Sequence, residues 1–195
     1  MNRRHLPLIV LALMAIAFRV VGALFPAEFP NFQPLPALLL CSLVFLNGRA
    51  RWLLPLGVWV VTDPFVSLLQ GYSVIGPHHL SLALGLAAVV ALALLVRRTS
   101  RTALPMLAGT VAGALAFYFL SNTIAFLSDP LYAKTWEGFV QAQWTGPLGF
   151  VPTWIFLRNL LVANLLFTAL VLIGHRLPLG DPAHARAAAD AKHTA

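Results

Sequence analysis

Charge is what this sequence has least of. Asp, Glu, Lys and Arg make up 10% of its 195 residues, against 59% hydrophobic residues and a mean hydropathy of +0.83. A soluble domain carries about 25% charged residues, so this chain lacks the polar surface to cover a water-facing fold. A single cysteine, Cys41, excludes an intrachain disulfide and leaves the redox compartment open. No GxxxxGK[ST] loop is present to cradle nucleotide phosphates. HExxH, CxxCH, paired intramembrane aspartates and a Ser–His set at one depth are missing too. No enzyme and no cofactor is therefore expected.

What is present is a series of apolar runs, at 6–25, 34–47, 52–70, 79–96, 103–127 and 152–174. Most approach the roughly 20 residues that cross about 30 Å of hydrocarbon, and helices satisfy their backbone groups within their own segment. The expectation is an all-α integral membrane protein, a six-helix transmembrane bundle over residues 1–176 with a cytoplasmic, disordered tail at 177–195. Run 34–47 is short. Pro34 and Pro36 suit a first helical turn, and this helix is expected to begin below the membrane surface.

Lys and Arg set the direction. Arg3, Arg4, Arg49, Arg51, Arg97, Arg98, Arg101, Arg176, Arg186 and Lys192 fall on one side, and Lys134 alone on the other. Both termini are thus expected in the cytoplasm of a bacterial inner (plasma) membrane, with loops 26–33, 71–78 and 128–151 outside. The excess of basic residues is then a topology signal rather than a nucleic-acid footprint, and no nucleic-acid partner is expected. The first run resembles a signal peptide, but Arg19 interrupts it and its loss would spoil the charge alternation, so a retained helix is favoured.

Three charges remain inside the runs: Arg19, Asp63 and Arg158. At about 1.5 Å per residue, Asp63 lies roughly 10 Å, and both arginines roughly 9 Å, below the outer ends of their helices. Asn122 lies about 8 Å deep on the fifth run. An isolated charge in hydrocarbon costs at least about 2.5–3.5 kcal/mol, so the three are expected to converge inside the bundle. Two arginines against one aspartate leave a spare positive charge suited to a carboxylate or phosphate. The plain alternative is a buried ion pair that only locks helix packing.

PNFQP, residues 30–34, brackets a polar-aromatic triplet with prolines and predicts a rigid cap. The long 128–151 stretch carries Trp136 and Trp144 and reads as a lid or an interfacial aromatic belt. Trp154, one turn before Arg158, is the better pocket candidate. His78 and His79 are adjacent, and adjacent helical positions do not face the same way. No metal site is expected from them, only a helix-start or headgroup contact. The stripe Ala108, Gly109, Ala112, Gly113, Ala116 on the fifth run is read as close helix packing, or a face for a partner helix.

PNFQPLPAL, the TDP at 62–64, FYFLSNTIAF and YAKTWEGFVQAQW followed by TWIFLRNLLVANLLF resemble a bacterial family of small, uncharacterised membrane transport proteins. That family is distantly similar to the substrate-binding S components of energy-coupling-factor (ECF) vitamin transporters. The resemblance covers roughly residues 17–175. It implies a bundle that binds a small solute near the outer face and topples when docked on a transmembrane coupling subunit driven by ATPases. By motif it carries over Asn31, Phe32, Asp63, Asn122, and Trp136 with Gly138. One feature departs: S components often show AxxxA on the first helix, whereas here Ala12 is followed at that spacing by Ile16, and Ala15 by Arg19.

The substrate-binding set expected from residues and resemblance together is Arg19, Asn31, Phe32, Asp63, Asn122, Trp136, Trp154 and Arg158. The expected function is uptake of a small anionic or ring-bearing solute. A proton-coupled carrier using Asp63 and a non-transporting scaffold are the alternatives.

Overall fold

The computed structural model describes residues 6–71, 73–76, 78–99 and 102–176. The tail, and Arg3, Arg4, Arg101, Arg186 and Lys192 used above for orientation, lie outside the described residues. Among those described, the chain forms seven helices: α1 Leu6–Leu24, α2 Leu35–Phe45, α3 Ala50–Leu69, α4 His78–Thr99, α5 Ala103–Ser128, α6 Trp136–Gln143 and α7 Thr153–Arg176. Five of them, α1, α3, α4, α5 and α7, are long and apolar enough to cross a membrane, the character of a multi-pass membrane protein.

The sixth expected crossing is different. With 11 residues, α2 is about 16 Å long, roughly half the hydrocarbon thickness. It lies at the centre, packed against α1, α3, α4, α5 and α7, and every residue from Leu35 to Val44 is buried. An all-round apolar sequence such as LPALLLCSLVF suits that position, because no face meets water.

Burying a short helix buries its unpaired backbone ends as well. At the N-terminal end, the Asn164 side chain of α7 accepts a hydrogen bond from the Ala37 amide (2.6 Å) and donates to the Gln33 carbonyl (3.2 Å). At the other end, Arg97 of α4 donates to the Leu46 carbonyl and the Asn47 side chain, each at 2.8 Å, and to the Leu43 carbonyl. Arg97, which the sequence reading used only for orientation, therefore holds the end of α2.

The small residues of α5 pack as the sequence indicates. A Cβ on Gly109 would stand 2.7 Å from a Val96 methyl, and Gly113 lies against Val89. Both neighbours belong to α4, against which α5 makes its broadest contact. Thr110 and Thr168 add a hydroxyl contact of 3.0 Å between α5 and α7.

The 128–151 stretch holds a helix the sequence reading missed. Thr135 caps α6, its hydroxyl accepting from the Gly138 amide at 3.3 Å. Gly138 then passes so close to the Ala133 carbonyl oxygen that a Cβ would come within 1.9 Å of it. A hydrogen is all that fits.

Candidate functional site

At one end of the bundle, the ends of the long helices surround a cavity of about 1050 Å³. Small-molecule sites typically span about 300–1,000 Å³. Its wall includes Phe18 and Arg19 of α1, Asn31 to Gln33, Asp63 of α3, His78 of α4, Asn122 of α5 and Phe156 of α7.

The polar centre is built on Arg19. It is 7% exposed, and each of its three nitrogens has a partner. Nε donates to the Thr62 hydroxyl at 2.7 Å, Nη1 to the Gln33 side-chain oxygen at 3.0 Å, and Nη2 to Asp63 Oδ1 at 3.0 Å. The Thr62 hydroxyl in turn donates to the Val58 carbonyl (2.7 Å), as a hydroxyl inside a helix can. Asp63 is 8% exposed. Its second oxygen, Oδ2, meets His79 Nε2 at 2.8 Å. Pro64 follows directly and removes a helical N–H from α3 at this level.

The network continues through the predicted rigid cap. Gln33 donates to Asn31 (2.8 Å), and Asn31 to the Phe156 carbonyl (3.4 Å). Asn31 holds a left-handed backbone, φ 55°, which asparagine tolerates better than most residues. Asn159 ties the Pro30 carbonyl from α7 at 2.9 Å. One polar chain thus links α4, α3, α1, the 30–34 segment and α7. Phe32 rests on Phe18 with ring centroids 5.2 Å apart and contributes aromatic wall.

Of the residues expected to converge, the structure brings together Arg19, Asn31, Phe32, Asp63 and Asn122 around the cavity. It does not bring in Arg158, Trp154 or Trp136. Arg158 is exposed on the outside of α7, bonded to its neighbour Asn159 and lying 5.6 Å above the Trp154 ring. Trp136 is 71% exposed and stacks on Phe139. The expected depth of Arg158 left its helical face undetermined, and that face points away from the bundle. The charge balance changes with it. Among the described residues lining the cavity, Arg19 is the one Lys or Arg, against Asp63 and Asp129, so the wall holds no spare arginine.

The sequence reading missed Thr62, Gln33 and His79. Gln33 stood in the quoted PNFQP cap, and Thr62 directly before Asp63. His79 was read as a helix-start contact, and its Nδ1 does meet Gly76 at the start of α4, but the expectation that the two neighbouring rings face apart does not hold. The two rings start α4 side by side, with centroids 4.1 Å apart. At a helix start, side-chain rotation brings together rings whose Cβ positions diverge.

Tyr132, in the segment between α5 and α6, is buried and also lines the cavity. Burial, and secondarily the Asp129 carboxylate, push its phenol above the ordinary value, so it stands in the wall as a neutral hydroxyl.

The sequence of this chain matches a family model over residues 1–182, nearly its whole length. The chain belongs to DUF6580, a family of unknown function. No curated protein and no solved structure matches it. The reading of this DUF6580 member therefore rests on its own side chains.

Proposed function

We propose that the cavity is an outer-face solute site and that the protein takes part in uptake of a small, ring-bearing solute, in the manner of an S component. In this reading α2 counts as a sixth, recessed crossing and both termini are cytoplasmic. The cavity then opens outward, and a transmembrane coupling subunit with ATPases supplies the energy. The observation that carries it is the convergence of Arg19, Asn31, Phe32, Asp63 and Asn122 on one large cavity at a single end of the bundle. A lock between helices needs no such space. The aromatic wall, with Phe18, Phe29, Phe32 and Phe156, favours a ring over a simple ion. The anionic alternative loses its main support with the outward-facing Arg158.

A second reading, a non-transporting scaffold, draws on the complete pairing of Arg19. One experiment separates the two. Small molecules released from the detergent-purified protein are identified by mass spectrometry, wild type beside Asn122→Leu. The uptake reading expects a solute that leaves with the substitution while the melting temperature holds. It fails if nothing is released from either protein and no solute raises the melting temperature of the wild type.

A further inference from the structure

Asp63, His78 and His79 place one ligand atom each within 4.8 Å of one another. We propose that these three side chains form a binding site for a divalent first-row transition-metal ion in the wall of the cavity. The extension to solute binding rests on the reading of that cavity as the solute site; the metal site itself does not.

The chemistry of the set is specific. Two imidazoles and one carboxylate suit zinc, cobalt, nickel or iron(II). Calcium requires six to eight oxygen ligands, and magnesium keeps its waters and prefers oxygen. Cys41 is buried within α2 and is not part of this group, so no thiolate is placed in this set. Ligand atoms around a four-coordinate ion with bonds of about 2.0–2.2 Å stand roughly 3.3–3.6 Å apart. Closing the triad from its present spread takes a shift of up to about 1.5 Å, within the reach of imidazole rotation.

The surroundings fit a ligand set as well. Metal-bound carboxylates are held by an outer partner, and Asp63 Oδ1 is held by Arg19, which leaves Oδ2 directed at His79. His79 has both of its states provided for by one residue. Its Nδ1 lies 3.2 Å from the Gly76 amide nitrogen and 3.2 Å from the Gly76 carbonyl oxygen. Without an ion, the Gly76 N–H donates to Nδ1, and Nε2–H donates to Asp63 Oδ2. With an ion, Nδ1–H donates to the Gly76 carbonyl, and the Nε2 lone pair is released to the metal. Orientation of a ligating histidine by a backbone carbonyl is the usual arrangement.

The acidic balance of the wall, Asp63 and Asp129 against Arg19, favours a cation. The positive end of α4 opposes one, but this effect is weak beside three direct ligands. Asp63 and His78 both line the cavity, so the coordination positions that three protein ligands leave open face the space where the solute sits. The solute class that follows is a ring-bearing molecule with a donor atom for the ion.

The test uses full-length, detergent-purified protein without a polyhistidine tag, titrated with Co²⁺ and Zn²⁺ alone in the presence of excess Mg²⁺. One ion per chain is expected, with visible Co²⁺ bands characteristic of imidazole nitrogen. His78→Ala and His79→Gln each weaken binding by at least about 100-fold, more than the loss of an outer partner, while Arg158→Ala leaves it unchanged. Both histidine variants keep the Arg19–Asp63 pair, and their melting temperatures without metal check that they fold. Folded wild type that holds neither ion, or folded histidine variants with wild-type affinity, overturn the site. A separate uptake assay keeps the two readings apart. Metal bound as described by a protein that carries nothing into cells overturns the uptake reading alone. Uptake with no metal affinity overturns this one alone.

Discussion

Two arginines at the same expected depth have opposite fates. Arg19 is enclosed by α3 and the 30–34 segment, with every donor nitrogen engaged. Arg158 lies on the outer surface of α7, stacked over Trp154. Depth along a helix follows from counting residues, but face follows from which neighbours pack there. Arg19 has Thr62, Asp63 and Gln33 within reach. Arg158 turns to a tryptophan, as a cation does when it stays near a membrane surface.

The sharpest way to break that comparison is to remove partners. Asp63→Ala leaves a guanidinium buried without its counter-charge and is expected to cost about 3–5 kcal/mol, read as thermal unfolding in detergent. Arg158→Ala should stay within about 0.5 kcal/mol of wild type. Equal losses at the two positions would place Arg158 inside the bundle after all.

Next in size is the central helix. Asn164→Ala strands the Ala37 amide and the Gln33 carbonyl, at about 1–3 kcal/mol for a buried group left unsatisfied. The same melts check it, and a loss near zero would show that water reaches the start of α2. Gly138→Ala drives a methyl into the Ala133 carbonyl and should cost about 1–3 kcal/mol. Its effect should be local: faster amide exchange in α6 and little change in α2.

The smallest effect is a pH slope. The folded protein holds the Tyr132 proton more tightly than the unfolded chain does. Stability from this group is therefore present at lower pH and is lost as pH rises through and above the ordinary phenol value, about 10. Melts of wild type beside Tyr132→Phe should diverge there, with wild type falling faster.

Much of the fold was legible because one quantity, hydropathy over a spanning length, dominates in such a chain. The runs 6–25, 52–70, 79–96, 103–127 and 152–174 stand on α1, α3, α4, α5 and α7 with ends shifted by at most three residues. The run 34–47 showed its shortness but not its central place, which depends on Asn164 and Arg97 from helices far along the chain. Helix α6 had a local sign, Thr135 followed by an acidic residue in the first turn, hidden by the aromatic residues around it. At the site, the cost of bare charge in lipid led to the expectation that Arg19, Asp63 and Arg158 converge, and the structure brings together the first two only. Gln33 and His79 join them from 14 and 16 positions away from Arg19 and Asp63 respectively, and no helical period carries that distance.

The brevity of α2 has a volumetric consequence. A helix of 11 residues stops about 14 Å short of the hydrocarbon thickness. Phe32 and Gln33, just before α2, bound the cavity on the side where the helix begins. The cavity opens where further turns of α2 would run. Two or three extra turns at the start of α2 would push protein into that space, so in the proposed solute reading the length of this one segment limits the size of the guest.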